Sequence, residues 1–253
     1  WCDMIDKFLA INAGRIGNGK FEIKSITVGI VNTVSRHLAK LPQCFGQIVF
    51  DEVHRMSCPR MIAVAKEFDC KMMFSCSATP YRRDGLTKVI HFYAGPLVHK
   101  VDPKELESLG AVLVPEIIHR QTDFHYDFRD DYAKMLSTLT QDETRNVQIA
   151  KDILLEAETH RGTVLVVSDR VKHCLALEDL LLGNGLNLNV RILTGQLKSQ
   201  ERMALVEDIR AGKVDVVIAT LQLVGEGFDF EGFSSLFLTT PVRFGGRVIQ
   251  TIG

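Results

Sequence analysis

The chain is short of several things, and each shortage removes a class of function. Its six cysteines (Cys2, Cys44, Cys58, Cys70, Cys76, Cys174) form no CxxC pair. This argues against a redox dithiol or a thiolate zinc cage, and for reduced, mostly packed thiols. No apolar run approaches the ~18 residues that a membrane span needs, and no charged-then-apolar leader opens the chain. The expectation is a cytoplasmic protein with no membrane partner. Thirty Lys and Arg stand against 31 Asp and Glu, a net charge of −1. With no global basic face, any nucleic-acid partner has to be held by a local groove. Internal repeats and low-complexity tracts are also missing.

What is present is a series of short, continuous apolar runs. Ile26–Val31, Gln47–Phe50 and Lys71–Ser77 come first; Thr163–Ser168, Val190–Leu193, Asp215–Thr220 and Ser235–Thr240 follow. Runs of this kind fit strands buried on both faces, as in parallel sheets. Helical patterns lie between them. Val147, Ala150, Ile153, Leu154 and Ala157 make one apolar stripe, closed by Gly162. Met203, Val206 and Ile209 make another, opened by Ser199 as a candidate N-cap. Pro59 suits the first turn of a helix reaching Phe68. This alternation predicts an α/β fold. The stretch from about Gly95 to Gln141 carries Pro96, Pro103 and Pro115 and reads as a connector, with a strand at Ala111–Val114 and a helix near Tyr132–Leu139. The resulting division is 1–95, 96–141 and 142–253.

One strand ends unusually. Ile48-Val49-Phe50 runs into Asp51-Glu52-Val53-His54. In open α/β sheets, ligands bind beyond the carboxyl ends of the strands. An Asp there can hold Mg²⁺ together with phosphate oxygens, and a Glu beside it can activate water. Alternatively, the acids form a solvated turn. A zinc site is disfavoured, because the HExxH spacing and a nearby His/Cys set are both missing. The next run ends in Ser77-Ala78-Thr79-Pro80, which places two hydroxyls at a second carboxyl end. The histidines other than His54 show no ligand spacing.

"FDEVH" followed by "SATPYRRDGL" resembles motifs II and III of the superfamily 2 helicases and translocases. "VLVVSDRVKHCLALEDLL" resembles motif IV, "VVIATLQLVGEGFDFEGFSSLFLTTP" motif V, and "RVIQTIG" the opening of motif VI. The wording is most similar to the branch of XPB-type helicases and type III restriction enzyme helicase subunits. The resemblance implies two RecA-like domains of the P-loop NTPase type, with ATP and Mg²⁺ between them. Asp51 would bind Mg²⁺ and Glu52 would activate the hydrolytic water. His54, Ser77 and Thr79 would couple hydrolysis to domain movement. Gly227, Asp229 and Gly253 would line the nucleotide cleft, with Gln250 facing the γ-phosphate. Thr220 would touch a nucleic-acid backbone. Thr33 would do so as well, or else serve as a helix N-cap, and Arg170 would touch nucleic acid or be a surface arginine. Arg82 and Arg83 are further phosphate candidates.

The family's GxxxxGK[ST] loop has no match, because Gly14 to Lys20 fails its spacing and is followed by Phe21. The chain opens on Trp1, and motif VI stops before its arginines. The first domain is therefore expected to be N-terminally truncated, and the chain to be part of a longer motor whose fragment is inactive alone. The implied partner is DNA, with RNA an option, and restriction or repair subunits are possible partners. The alternatives are a restriction-system motor subunit and a nucleic-acid-binding module without ATPase activity.

Overall fold

The computed structural model describes residues 1–82, 84–110, 115–128, 131–159, 162–183, 185, 187–195, 197, 199–224 and 232–242. The chain forms two compact units, Trp1–Leu109 and Gly110–Gly253. Their elements are, in the first, α1 (Cys2–Leu9), β1 (Gly14–Gly17), β2 (Lys20–Phe21), β3 (Thr27–Gly29), α2 (Val31–Val34), β4 (Gln47–Phe50), α3 (Pro59–Glu67), β5 (Met72–Ser75), α4 (Thr87–Ala94) and α5 (Pro103–Ser108). In the second they are α6 (Tyr132–Gln141), α7 (Glu143–Thr159), β6 (Thr163–Ser168), α8 (Val171–Leu182), β7 (Val190–Leu193), α9 (Ser199–Arg210), β8 (Val216–Thr220), α10 (Leu221–Val224) and β9 (Phe233–Leu238). The expected α/β architecture is observed. No helix among the described residues is long and apolar enough to cross a membrane.

In the first unit, β4 and β5 pair in parallel, with Phe50 opposite Ser75. Cys58 caps α3 and Pro59 takes its first position, where a missing N–H costs nothing. Ile16, Leu41, Phe50, Val53, Met56, Met61, Val64, Phe68 and Ile90 form the core on one face of this pair. On the other face Val49, Met72 and Phe74 are about half exposed. A second sheet, ordered β2-β1-β3, begins with a hairpin that the apolar runs do not announce. Its two-residue loop, Asn18-Gly19, has φ of 50° and 78°. That is the type I′ geometry that an Asn-Gly pair favours.

The second unit holds a four-stranded parallel sheet, β7-β8-β6-β9. Alternate residues of β6 and β8 enter opposite cores. Val164, Val166, Val216 and Ile218 meet Ile153, Leu177 and Leu181 from α7 and α8. Leu165, Val167, Val217 and Ala219 meet Leu205 and Ile209 from α9. Covering both faces is why these strands read as unbroken apolar runs. The later part of the expected connector is packed on this unit, where Arg120 makes a bidentate pair with Asp152 of α7, both contacts at 2.8 Å.

Two expectations, on the helical stripes and on the cysteines, need correction. Helix α9 begins at Ser199, but its buried residues are Leu205 and Ile209, four apart, while Met203 is exposed; Val147 of α7 is exposed as well. Of the cysteines only Cys174 is buried, and Cys44 and Cys76 are exposed. Burial pushes the Cys174 thiol up to about 11, so it behaves as an inert packing residue. The strand expected at 111–114 lies outside the described residues.

Gly162 joins α7 to β6 with φ +137°, and a Cβ there would lie 2.8 Å from Ser234 Cβ and 3.2 Å from the Gly232 carbonyl. Gly162→Ala is expected to destabilise the chain by about 1–3 kcal/mol, read as a lower urea midpoint with an unchanged slope.

Candidate functional site

At the carboxyl edge of β4 and β5, the chain turns sharply after Phe50. Glu52 adopts φ 51°, ψ 49°, a left-handed conformation that costs a non-glycine residue about 1–2 kcal/mol. Surrounding hydrogen bonds hold it there. The Glu52 N–H donates to Asp51 Oδ1 at 2.9 Å. The Val53 N–H donates to the Cys76 carbonyl, and the Arg55 N–H to the Glu52 carbonyl, both at 2.9 Å. Strain over-determined in this way is characteristic of functional turns.

The turn brings five of the expected residues together. His54 Nδ1 lies 3.0 Å from Ser77 Oγ and 3.0 Å from Glu52 Oε2. The Thr79 N–H donates to Ser77 Oγ at 3.1 Å, and Thr79 is buried. One ring nitrogen thus faces a hydroxyl and a carboxylate, and a single proton there can serve only one of them at a time. Burial lowers the His54 pKa below its ordinary value, against the pull of Glu52, with Arg55 and Arg82 adding to the lowering. His54 is therefore neutral at pH 7.

One neighbour went unread in the sequence. Trp1 Nε1–H donates to Asp51 Oδ2 at 2.7 Å, and nothing in the local pattern points to that pairing across fifty positions. Arg82, a phosphate candidate in the sequence, makes contacts to its own loop and to the turn after β4. Its guanidinium pairs with Asp84 and donates to the His54 carbonyl at 2.8 Å. Arg83 lies outside the described residues.

The acids fit a magnesium ion. Asp51 is an exposed carboxylate with a lone pair left on each oxygen, and Glu52 is beside it. Mg²⁺ takes one or two carboxylates and fills its octahedron with water and phosphate oxygens. No group of three or more His, Cys, Asp or Glu side chains among the described residues could hold a metal by itself.

Thr33 sits inside α2, where Ile30 is the N-cap, so the capping alternative does not hold. In the second unit, Ser168 and Thr220 are register partners at the ends of β6 and β8. Arg170, exposed and N-terminal to α8, therefore shares a carboxyl edge with Thr220. A groove of about 640 Å³ runs beside it, lined by Thr140, Glu143, Asn146, Arg170, Lys172 and Asp179 among others. Gly227, Asp229, Gln250 and Gly253 lie outside the described residues.

Residues 4–82 match the family model of the type III restriction enzyme res subunit, and residues 145–253 match the helicase conserved C-terminal domain. The chain is 25% identical over 267 residues to the protein named "Probable helicase D10" of Escherichia phage T5, covering 100% of this chain and 55% of that protein. It is 30% identical over 106 residues to the DNA 3'-5' translocase XPB2 of Sulfurisphaera tokodaii, covering 42% of this chain and 24% of the other. A solved fragment assigned as an HsdR subunit of a type I restriction enzyme from Vibrio vulnificus YJ016 superposes with a TM-score of 0.72 at 18% identity, over 98% of this chain and 48% of that one. The chain spans 55% or less of these curated relatives.

The two family-model matches, with the DEVH and SAT segments inside the first of them, place the chain in the superfamily 2 helicase family. Within the family it falls in the branch of XPB-type helicases and type III restriction enzyme subunits.

Proposed function

We propose that the parent protein is an ATP-dependent motor that couples ATP hydrolysis to movement on DNA. The observation that carries this reading is the meeting of Glu52, His54 and Ser77 within 3.0 Å at the tip of β4. Asp51 would hold Mg²⁺, which would supply positive charge to offset that of the phosphates. Glu52 orients the attacking water and accepts its proton. His54 Nδ1 serves Glu52 or Ser77 in turn, so a change at the acid is passed to the Ser77–Thr79 segment. Thr33, Arg170 and Thr220 contact the nucleic-acid backbone, which needs hydroxyls and amides more than a high net charge. The resemblance to the family assigns Gly227, Asp229 and Gly253 to nucleotide binding and Gln250 to the γ-phosphate; all four lie outside the described residues.

In this reading, residues 1–95 and 142–253 act as the two motor domains and 96–141 as their connector, in a cytoplasmic setting. A restriction-system motor is the second reading, favoured by the match of residues 4–82 to a restriction subunit.

ATP hydrolysis by the full-length parent, titrated with duplex DNA, single-stranded DNA and RNA, tests the proposal. Turnover is expected to rise at least about tenfold with DNA, a barrier change of about 1.4 kcal/mol. Retained DNA binding with no hydrolysis under any condition would replace the motor with an inactive binding module.

A further inference from the structure

A chain of buried polar groups in the second unit has no part in the chemistry above. His173, on α8, is only 1% exposed. Its Nε2 lies 2.9 Å from Asn146 Oδ1, and its Nδ1 lies 2.9 Å from Ser168 Oγ. The amide of Asn146 has a fixed sense, because its Nδ2 donates to the Thr140 carbonyl at 3.0 Å. Oδ1 is left to accept from the ring, so Nε2 carries the proton. A neutral imidazole then offers a lone pair at Nδ1, and the Ser168 hydroxyl donates to it. Ser168 Oγ in turn accepts the Arg170 N–H at 3.2 Å. Each joint uses one proton, and all of them point the same way.

The end of this chain is the backbone of Arg170. That residue caps α8 with φ −128° and ψ 123° and makes no side-chain cap bond. Its carbonyl accepts the N–H groups of His173 and Cys174, both at 3.1 Å. Gripped at its N–H and at its carbonyl, Arg170 projects its side chain from a fixed Cα–Cβ direction at the mouth of the groove. Packing alone would be served by leucine at position 173. A histidine buried among apolar neighbours carries a desolvation cost that only a fully connected network offsets.

We propose that His173 is a positioning residue for Arg170, acting through Ser168 so that the guanidinium is presented to a nucleic-acid phosphate. The proposal rests on the reading of Arg170 as a nucleic-acid contact. The two ring nitrogens have separable roles: Nε2 ties α8 to α7, and Nδ1 ties α8 to the end of β6. Side-chain isosteres separate them. Asparagine at 173 keeps a polar atom where Nδ1 sits and leaves the Nε2 position empty, whereas glutamine does the reverse.

The test uses DNA-stimulated ATP hydrolysis by the full-length parent, with thermal unfolding confirming that each variant is folded. Arg170→Ala is expected to raise the DNA concentration for half-maximal stimulation about tenfold, the worth of one charge-assisted phosphate contact. Ser168→Ala and His173→Gln are expected to raise it about three- to tenfold, with turnover at saturating DNA within about twofold of the parent, because loss of a neutral hydrogen bond is worth about 1 kcal/mol. His173→Asn should restore it to within about twofold. Arg170→Ala combined with His173→Gln should be no weaker than Arg170→Ala alone, since both act on one contact.

Equal behaviour of His173→Asn and His173→Gln would overturn the proposal, as would multiplying effects in the double variant. If Arg170→Ala leaves the DNA dependence unchanged, the assignment of Arg170 itself fails and the proposal falls with it. If Arg170→Ala weakens DNA stimulation while His173→Gln does not, only the positioning role is lost.

Discussion

Replacing Glu52 by glutamine is expected to lower DNA-stimulated ATP turnover of the full-length parent by about 10²–10⁴-fold, the usual worth of a general base. The substitution preserves shape. The amide can keep an oxygen at the Oε2 position, 3.0 Å from His54 Nδ1, and the left-handed turn is held by backbone bonds that do not involve the side chain. Basicity alone is removed. Nucleotide and DNA affinity should therefore stay within a few-fold while turnover collapses, the signature of an interaction made in the transition state. Steady-state hydrolysis beside nucleotide-binding titrations separates the two. A Glu52→Gln protein that turns over within about tenfold of the parent would remove Glu52 from the chemistry.

The second large effect concerns stability against pH. Burial, reinforced by the charge of Arg145, lowers the His173 pKa to about 4. An unfolded histidine titrates near 6.5. Below that value the unfolded chain takes up a proton that the folded one refuses, so stability is full above ~6.5 and is lost as the pH falls toward 4. The contribution at stake is about 3 kcal/mol, of which about 2 kcal/mol should be gone by pH 5. Glu178 works in the opposite sense, because burial raises its pKa and it gains protons on folding as the pH falls. Urea unfolding at pH 7 and pH 5 measures the difference. In His173→Asn the pH dependence should shrink, leaving the part of the same sense that His54 contributes, whatever the variant's absolute stability.

Much of this fold could be read before any coordinates. Gln47–Phe50, Thr163–Ser168 and Val190–Leu193 are strands with the expected bounds, because continuous apolar runs have few other solutions in a parallel sheet. The DEVH and SAT segments were legible because polar residues placed directly after apolar strands have little packing role. The Asn18-Gly19 hairpin was missed although its signal was present, since the glycines around it were weighed only as a phosphate loop. Met203 was chosen over Leu205 for the core because one helical stripe resembles its neighbour when the sheet it faces is unknown. The His173 relay had no signal at all. It joins residues 27 apart through Asn146 and 5 apart through Ser168, and only the packing of α7 and α8 on β6 brings them together. Nor does any local pattern reveal that Glu52 is held at positive φ.

The half-bare β4–β5 pair has a consequence for how unevenly the chain resists disruption. Strands β6 and β8 lie between two cores, so opening them exposes both layers to water at once. Val49, Met72 and Phe74 already meet solvent, and parting β4 from β5 uncovers only the single core behind them. The edge that carries Asp51, Glu52 and Ser77 therefore stands on the softer ground of the two, while Arg170 and Thr220 stand on the firmer. Warming the chain should blur the acids of the hydrolytic turn while the edge assigned to grip nucleic acid keeps its shape.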